Sequence, residues 1–168
     1  KRVFEDVYTG ADLQIPWYAA LGNHDHFGSV ESQIGYSDRS HRWRLPSPWY
    51  RFSETSDGVT ADFFILDTDS LVAGSTREQL EWLDHELAAS SADWKICVGH
   101  HPIRSYGQYG GDASMIRDVK PILDRHSVAA YLCGHDHDLQ LVKAPDDHFV
   151  CVVSGGGGKA RDTRYGDN

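Results

Sequence analysis

Histidine, asparagine and aspartate residues cluster in three short motifs of this chain. The motifs are Gly22-Asn23-His24-Asp25, Gly99-His100-His101 and Gly134-His135-Asp136-His137. Imidazole nitrogens and amide oxygens suit divalent transition metals such as Fe²⁺, Zn²⁺ and Mn²⁺. Metal ions held by such ligands can polarise a phosphoryl oxygen and generate a nucleophile from water. The three motifs therefore predict a metal-dependent hydrolytic site.

Each motif follows an apolar run that is typical of a buried strand. The runs end at Leu21, Val98 and Cys133, directly before the first glycine of each motif. In open α/β sheets, the loops at the carboxyl ends of strands converge on one crevice. We therefore expect the three motifs to meet at one point. Because side chains alternate along an extended segment, His135 and His137 should also point the same way.

Other histidines have an ordinary interpretation. A single histidine at a strand end or on a helix is most often a surface residue or a hydrogen-bonded core residue. That interpretation suits His41, His85, His126 and His148, which belong to no recurring motif.

A carboxylate is also expected, because a two-metal hydrolytic site normally has one between its ions. Asp25, Asp67 and Asp136 are candidates by position. Their spacing does not select one of them, so the anionic bridge stays unassigned by the motifs alone.

The elements that must position these motifs can be predicted from periodicity and turn residues. Strands are expected at 17–22, 49–54, 59–67, 94–99, 128–133, 138–143 and 148–154, the last two as an antiparallel pair. Asp57-Gly58 predicts a hairpin. Ser75-Thr76-Arg77-Glu78 predicts a capping box that opens a helix through about residue 89. A second helix is expected over 113–126, kinked at Pro121.

Composition indicates one globular domain over residues 1–168, with a flexible tail over 155–168. The net charge of −9 argues against binding to nucleic acid or to an anionic membrane surface. It does not exclude phosphate substrates, since bound metal ions would reverse the local sign. The cysteines lie in apolar runs without zinc spacing, which indicates small buried side chains: Cys97, Cys133 and Cys151.

The ordered motifs resemble a known family. Together with three runs between the first and second motifs, they are similar to the mammalian-type purple acid phosphatases. These runs are Arg42-Trp43, 46–51 and 65–68. The family is the tartrate-resistant acid phosphatase group of the calcineurin-like metallophosphoesterase superfamily. The resemblance implies an α/β fold, a four-layer αββα sandwich of two mixed β-sheets flanked by helices. It also implies hydrolysis of phosphate monoesters, with a metal-bound hydroxide as the nucleophile.

The resemblance implies a dinuclear centre of Fe(III) with Fe(II), Zn or Mn. Carried over motif by motif, Asn23, His100 and His135 would bind the divalent ion and His137 the ferric ion. The substrates would be phosphate-ester small molecules or phosphoproteins. The location would be secreted, lysosomal or vacuolar, although this chain begins with Lys1 and contains no signal peptide.

The substrate side of the site departs from the family pattern at one position. By resemblance, His24 would contact the phosphate and protonate the leaving group, and Asp25 would orient His24. A second catalytic histidine of the family is replaced by Tyr109, nine positions after His100. Tyrosine can donate a hydrogen bond to phosphate but is a poor general acid near pH 5. His101 is the nearest residue that could substitute for it.

The family's GDxG and GDxxY motifs are missing from these 168 residues. In the family they supply an aspartate to the ferric ion, the bridging aspartate and a tyrosine ligand. We therefore expect further residues before Lys1, and weak metal binding by residues 1–168 alone. Two alternatives stay open: a phosphodiesterase of the same superfamily, and a degenerate phosphate-binding module without catalysis.

Overall fold

The strands that end at the second and third motifs pair in parallel at the centre of the larger sheet. The computed structural model describes residues 4–74 and 77–163. The strands are β1 (Trp17–Tyr18), β2 (Trp43–Arg44), β3 (Tyr50–Ser56), β4 (Val59–Ile65), β5 (Trp94–Val98), β6 (Ala130–Cys133), β7 (Leu139–Val142) and β8 (Val150–Ser154). The larger sheet has the order β3-β4-β5-β6-β8-β7. Its four central strands are parallel, and both outer strands are antiparallel to their neighbours.

Helices connect and flank these strands. They are α1 (Asn23–His26), α2 (Val30–Gly35), α3 (Thr68–Val72), α4 (Arg77–Ala89) and α5 (Lys120–Arg125), with 3₁₀ turns at Ala11–Leu13 and Tyr36–Asp38. A six-stranded mixed sheet and a two-stranded parallel sheet with flanking helices belong to the α/β class that the resemblance implied. None of the helices within the described ranges has the length and hydropathy of a transmembrane segment.

Several local predictions are confirmed. The β3–β4 hairpin turns at Asp57 and Gly58, whose φ angles of 50° and 79° are the positive values that a type I′ turn requires. Helix α4 covers the predicted span, while the capping residues expected at 75 and 76 lie outside the described residues. Strands β7 and β8 form the expected antiparallel pair.

The second predicted helix is interrupted near its proline, as expected, but by a change of helix type. Met115–Val119 is a π-helical segment that leads directly into α5, with Pro121 in the first turn of α5. Proline has no N–H to donate to the preceding turn. The π-helical segment lies directly before Pro121, so the regular α-helical hydrogen bonding is interrupted where the proline lacks its N–H donor.

The predicted strand at 17–22 is wrong in its length. β1 ends at Tyr18 and pairs with β2 in a separate parallel sheet of two strands, with Trp17 opposite Trp43. One further bond joins Ala19 N–H to Arg44 O at 2.9 Å. The chain then bends so that Gly22 can begin α1, and this turn ends the strand pairing early.

One face of the larger sheet forms the main core. The strand register aligns Phe64, Cys97, Tyr131 and Cys151 in a row that is fully buried. Leucines of α4 and α5 belong to the same apolar cluster. Cys97, Cys133 and Cys151 are all buried and free, which confirms that they serve as small core side chains.

The other face of the sheet is also apolar but becomes more exposed across the strands. The register aligns Ile65, Val98, Leu132, Val152 and Leu141 in one row. The row starts in the small buried cluster beside β1 and β2 and ends at Leu141, which is 75% exposed. Residues 17–45 therefore cover one end of this face and leave its outer end open to solvent.

Residues 155–163 follow β8 and contact the motif loops. Gly155 N–H donates to Asp138 O at 3.1 Å, and Arg161 N–H donates to His137 O at 2.7 Å. The flexibility expected for 155–168, and the single-domain assignment, stay predictions.

We predict that serine at both Leu139 and Leu141 lowers the fluorescence of 1-anilinonaphthalene-8-sulfonate bound to this chain. Both leucines are 75% exposed on the open apolar face, so the double variant removes dye-binding surface. Its free energy of unfolding should change by less than about 0.5 kcal/mol. The neighbouring buried Val142→Ser variant should lose roughly 1–3 kcal/mol. Unchanged dye fluorescence in the double variant would contradict the exposure of this face.

Candidate metal centre

Three motif residues bring their ligand atoms together where β5 and β6 end. His100 Nε2 lies 2.9 Å from Asn23 Oδ1 and 3.1 Å from His135 Nδ1. Asn23 opens α1, His100 follows β5 and His135 follows β6. The structure therefore joins one residue from each of the three motifs, as the strand-end argument expected.

These separations fit ligands that share one metal ion. Two donor atoms about 2.0–2.1 Å from a tetrahedral metal lie roughly 3.3 Å apart. The observed 2.9 and 3.1 Å are close to that spacing. The ligand atoms of His100, His101 and His135 also lie within 4.8 Å of one another, which is a looser arrangement. His100 Nε2 thus has a ligand atom at metal-site spacing on each side, from Asn23 and from His135.

Thr68 holds the segment that carries His100 and His101. Its hydroxyl accepts the N–H groups of His100 and His101 at 3.1 and 2.9 Å. It also lies 3.0 Å from His101 Nδ1. Because the oxygen already accepts two N–H groups, its own proton is available for Nδ1, which assigns the Nε2–H tautomer to neutral His101. Tyr131 adds a bond from its hydroxyl to His101 O at 2.7 Å.

Glycine is required in two motifs because side chains pack closely against their backbones. A Cβ added at Gly22 would lie 2.9 Å from His100 Nδ1. A Cβ added at Gly99 would lie 2.5 Å from both Thr68 Cγ2 and the Tyr131 hydroxyl. The glycines were weak indicators in the sequence. The structure explains Gly22 by its contact with the His100 ring and Gly99 by its contacts with Thr68 and Tyr131.

The clustered imidazoles are held in their neutral form. Burial, and after it the positive charges that His101 and His135 would carry, lower the pKa of His100 to about 4. Burial also lowers the pKa of His101, although Asp69, Asp112 and Asp67 act in the opposite direction. The pKa of His135 is lowered by burial and then by His101. Neutral imidazole is the form that binds metal.

His135 and His137 are not on an extended segment, so the prediction from alternation is wrong. His135 has a φ of 65°, a left-handed conformation that turns the chain within the motif. Its Nδ1 faces His100, whereas His137 Nδ1 is buried without a hydrogen-bond partner. A buried imidazole nitrogen without a partner is costly in a folded protein. It fits a position that a metal ion would satisfy.

The three candidate bridging carboxylates are engaged in structural contacts. Asp25 accepts Gly22 N–H at 2.9 Å and Gln33 Nε2–H at 3.3 Å, which closes the turn at the start of α1. These bonds do not reach His24, so Asp25 can orient His24 only through the turn. Asp67 is 2% exposed, caps α3 at Ser70 and lies 2.9 Å from His26 Nε2.

Asp136 holds the loop after the second motif. It is fully buried and accepts the Ser105 hydroxyl, Tyr109 N–H at 2.8 Å and Gly110 N–H at 3.3 Å. A Cβ at Gly107 would collide with this carboxylate. Asp136 therefore positions the loop of Tyr109. Its hydrogen bonds within the described ranges go to this loop and not to the clustered imidazoles, although its charge acts to raise the pKa of His135.

The predicted substrate-side residues surround the cluster. The Tyr109 ring lies 4.6 Å from the His135 ring and is 54% exposed. His24 is exposed, packs edge-on to Phe27 at 5.3 Å and contributes to the electrostatics of His100. His101 is buried, with its ring 4.5 Å from that of His135.

Sequence reasoning missed Thr68 and the role of Asp136. Thr68 carries no pattern of its own, but it follows a predicted strand whose end had to lie beside the end of β5. Asp136 was considered as a bridge because of its position between two histidines. Nothing in its spacing distinguished a bridging carboxylate from one that anchors a loop.

Comparison with known proteins gives a consistent picture. Residues 2–139 match the family model for calcineurin-like phosphoesterases. The chain is 39% identical to rat tartrate-resistant acid phosphatase type 5, covering 96% of this chain and 55% of that protein. It is 33% identical to purple acid phosphatase 3 of Arabidopsis thaliana, covering 94% and 48%. The chain thus spans about half the length of these curated relatives.

A solved structure shares the fold over the whole chain. GAP50, described as the anchor in the inner membrane complex of Plasmodium, superposes with a TM-score of 0.86. The match covers 100% of this chain and 58% of that chain, at 24% sequence identity. At this identity the likeness supports the fold alone.

We predict that Gly22→Ala weakens Zn²⁺ binding about tenfold or more, because the added methyl group displaces the His100 ring from Asn23. Gly35→Ala is the matched control, since a Cβ there has no neighbour within 4 Å. Zn²⁺ titration against a competing chromophoric chelator measures both. Equal affinities in the two variants would contradict the proposed ligand geometry.

We predict that Asp136→Asn lowers the free energy of unfolding by about 1–3 kcal/mol, because the amide cannot replace the buried carboxylate as acceptor for three partly buried donors. Urea denaturation measures the change. Asp57→Asn is the control, since asparagine suits the positive φ of that exposed hairpin position. A loss no larger than that of the control would show that Asp136 does not hold the loop.

Proposed function

Because this chain belongs to the calcineurin-like phosphoesterase family, we propose that its metal centre serves the hydrolysis of phosphate monoesters, the activity of an acid phosphatase. The observation that carries the proposal is the convergence of Asn23, His100 and His135 at metal-ligand spacing. Neutral imidazoles and a neutral amide suit a divalent ion such as Fe²⁺, Zn²⁺ or Mn²⁺.

We further propose that His137 binds a second ion, ferric by family resemblance. Its buried Nδ1 without a hydrogen-bond partner supports this assignment. When bound, the two ions would supply Lewis acidity toward phosphate oxygens and activation of water. The backbone bond from Arg161 N–H to His137 O fixes the main chain of this ligand.

The substrate side would be formed by His24 and Tyr109. His24 is exposed beside the cluster and could donate a proton to the leaving-group oxygen. The hydroxyl of Tyr109 could donate a hydrogen bond to a phosphate oxygen, and its ring packs on His135. His101, buried and bonded to Thr68, would orient neighbouring groups and present its Nε2–H toward the cluster.

A phosphate-binding module without catalysis is the second candidate function. It is favoured by the engagement of Asp25, Asp67 and Asp136 in structural contacts, which leaves these three unavailable as the bridge. The replacement of the family's second histidine by Tyr109 favours it as well. A secreted, lysosomal or vacuolar location stays a prediction from the resemblance.

The decisive experiment combines metal content with turnover of p-nitrophenyl phosphate. Relative to the unmodified protein, His100→Ala should weaken Zn²⁺ binding by at least about tenfold and reduce turnover to background. His85→Ala is the matched control, because His85 is 78% exposed on α4. Metal binding without turnover in the unmodified protein would favour the phosphate-binding module.

The same assay tests the need for further carboxylates. Residues 1–168 alone should bind metal poorly and hydrolyse p-nitrophenyl phosphate weakly or not at all. Full occupancy with normal activity in these residues would contradict that expectation. It would also require a bridging ligand from within the chain described here.

A further inference from the structure

The side chain of Arg161 reaches the edge of the metal centre. Its Nη1 donates to Tyr109 Oη at 3.2 Å and to Gln108 Oε1 at 2.6 Å. The guanidinium carbon lies 5.7 Å from the centre of the Tyr109 ring, which in turn packs on His135. Since its N–H also bonds His137 O, Arg161 is tied to the site by both main chain and side chain.

Arg161 has no carboxylate partner among residues 4–74 and 77–163. By contrast, Arg51, Arg104 and Arg117 each form ion pairs with aspartate or glutamate. Asp162 lines the same groove as Arg161 without an ion pair to it. Arg39 and Arg44 also form no ion pair within the described ranges, but Arg161 is the one of these three whose side chain bonds a residue packed on His135.

The guanidinium keeps donors available. The hydrogen bonds that Arg161 makes within the described chain use Nη1, so Nε and Nη2 are available. The planar fork of these donors matches two oxygens of a phosphate group. Arg161 is partly exposed. It also lines an open groove of about 580 Å³ that includes Asp138 and Asp162 but neither Tyr109 nor the clustered histidines, so a phosphate would reach it from the Tyr109 side.

We propose that Arg161 binds the phosphate group of the substrate, next to Tyr109, and selects dianionic monoesters over monoanionic diesters. This proposal rests on the proposed function. A cation beside the cluster stabilises a doubly charged phosphate more than a singly charged one, because the Coulomb energy scales with charge. Arg161 would thus supply the charge that a neutral tyrosine at position 109 cannot.

A purely structural role is the competing explanation. Arg161 could serve only to hold residues 155–163 against the motif loops. That role would affect stability, and it would affect all substrates equally. The charge-binding role instead affects affinity for dianions.

The test compares Arg161→Gln and Arg161→Lys in the metal-loaded full chain, with Lys159→Gln as the control for an exposed cation on the same segment. Arg161→Gln should raise the KM for p-nitrophenyl phosphate and the inhibition constant of inorganic phosphate about tenfold, the loss typical of one charged hydrogen bond. The kcat should change by less than about threefold, and the KM for bis(p-nitrophenyl) phosphate likewise. Arg161→Lys should be intermediate and Lys159→Gln unchanged.

Two outcomes would overturn the proposal. One is an equal change for both substrates together with a lower Tm, which identifies a structural tether. The other is an unchanged phosphate inhibition constant in Arg161→Gln. If the unmodified protein hydrolyses neither substrate, the proposed function fails, and calorimetric titration with inorganic phosphate tests Arg161 separately. Equal or undetectable phosphate binding by the unmodified and Arg161→Gln proteins would then overturn the role of Arg161.

Discussion

The packing of the His100 ring against Gly22 is the contact on which the site depends. Asn23 belongs to the part of the chain that carries the two-stranded sheet, whereas His100 and His135 follow strands of the six-stranded sheet. No strand pairing joins these two sheets among the described residues. The ring can approach the α1 turn only because position 22 has no side chain. A ligand set drawn from two sheets thus requires one glycine at their junction.

On the other side of that junction, the parallel sheet fixes the position of His100. β4 and β5 end side by side, and Leu66 N–H extends their pairing to Val98 O at 2.8 Å. Thr68 therefore arrives beside the first residues after β5, where its hydroxyl satisfies two backbone donors. Burial then keeps the imidazoles neutral and able to accept a metal ion. The pairing of β4 with β5 and the bonds of Thr68 therefore position the imidazole ligands, and burial keeps them in the neutral form that binds metal.

The sequence predicted the parts of the structure that depend on local periodicity. The runs that form β5, β6 and β8 are apolar because both faces of a central parallel strand are covered or half-covered by other residues. Asp57-Gly58 predicts its hairpin because these residue types favour the positive φ angles of a type I′ turn. The early end of β1 and the left-handed His135 could not be predicted, because each results from a contact made elsewhere in the fold. Arg161 was missed for a related reason. It lies in a Gly-rich segment without periodicity, and its position depends on bonds to Tyr109 and His137.

Asn23 and His100 are 77 positions apart in the chain, yet their side chains touch. An ion bound by both would act as a crosslink that closes a loop of that length. For a covalent link, closing such a loop removes roughly 4–5 kcal/mol of conformational freedom from the unfolded chain. An ion bound at this site would therefore stabilise the folded state, and the folded state in turn would hold the ligands that bind the ion.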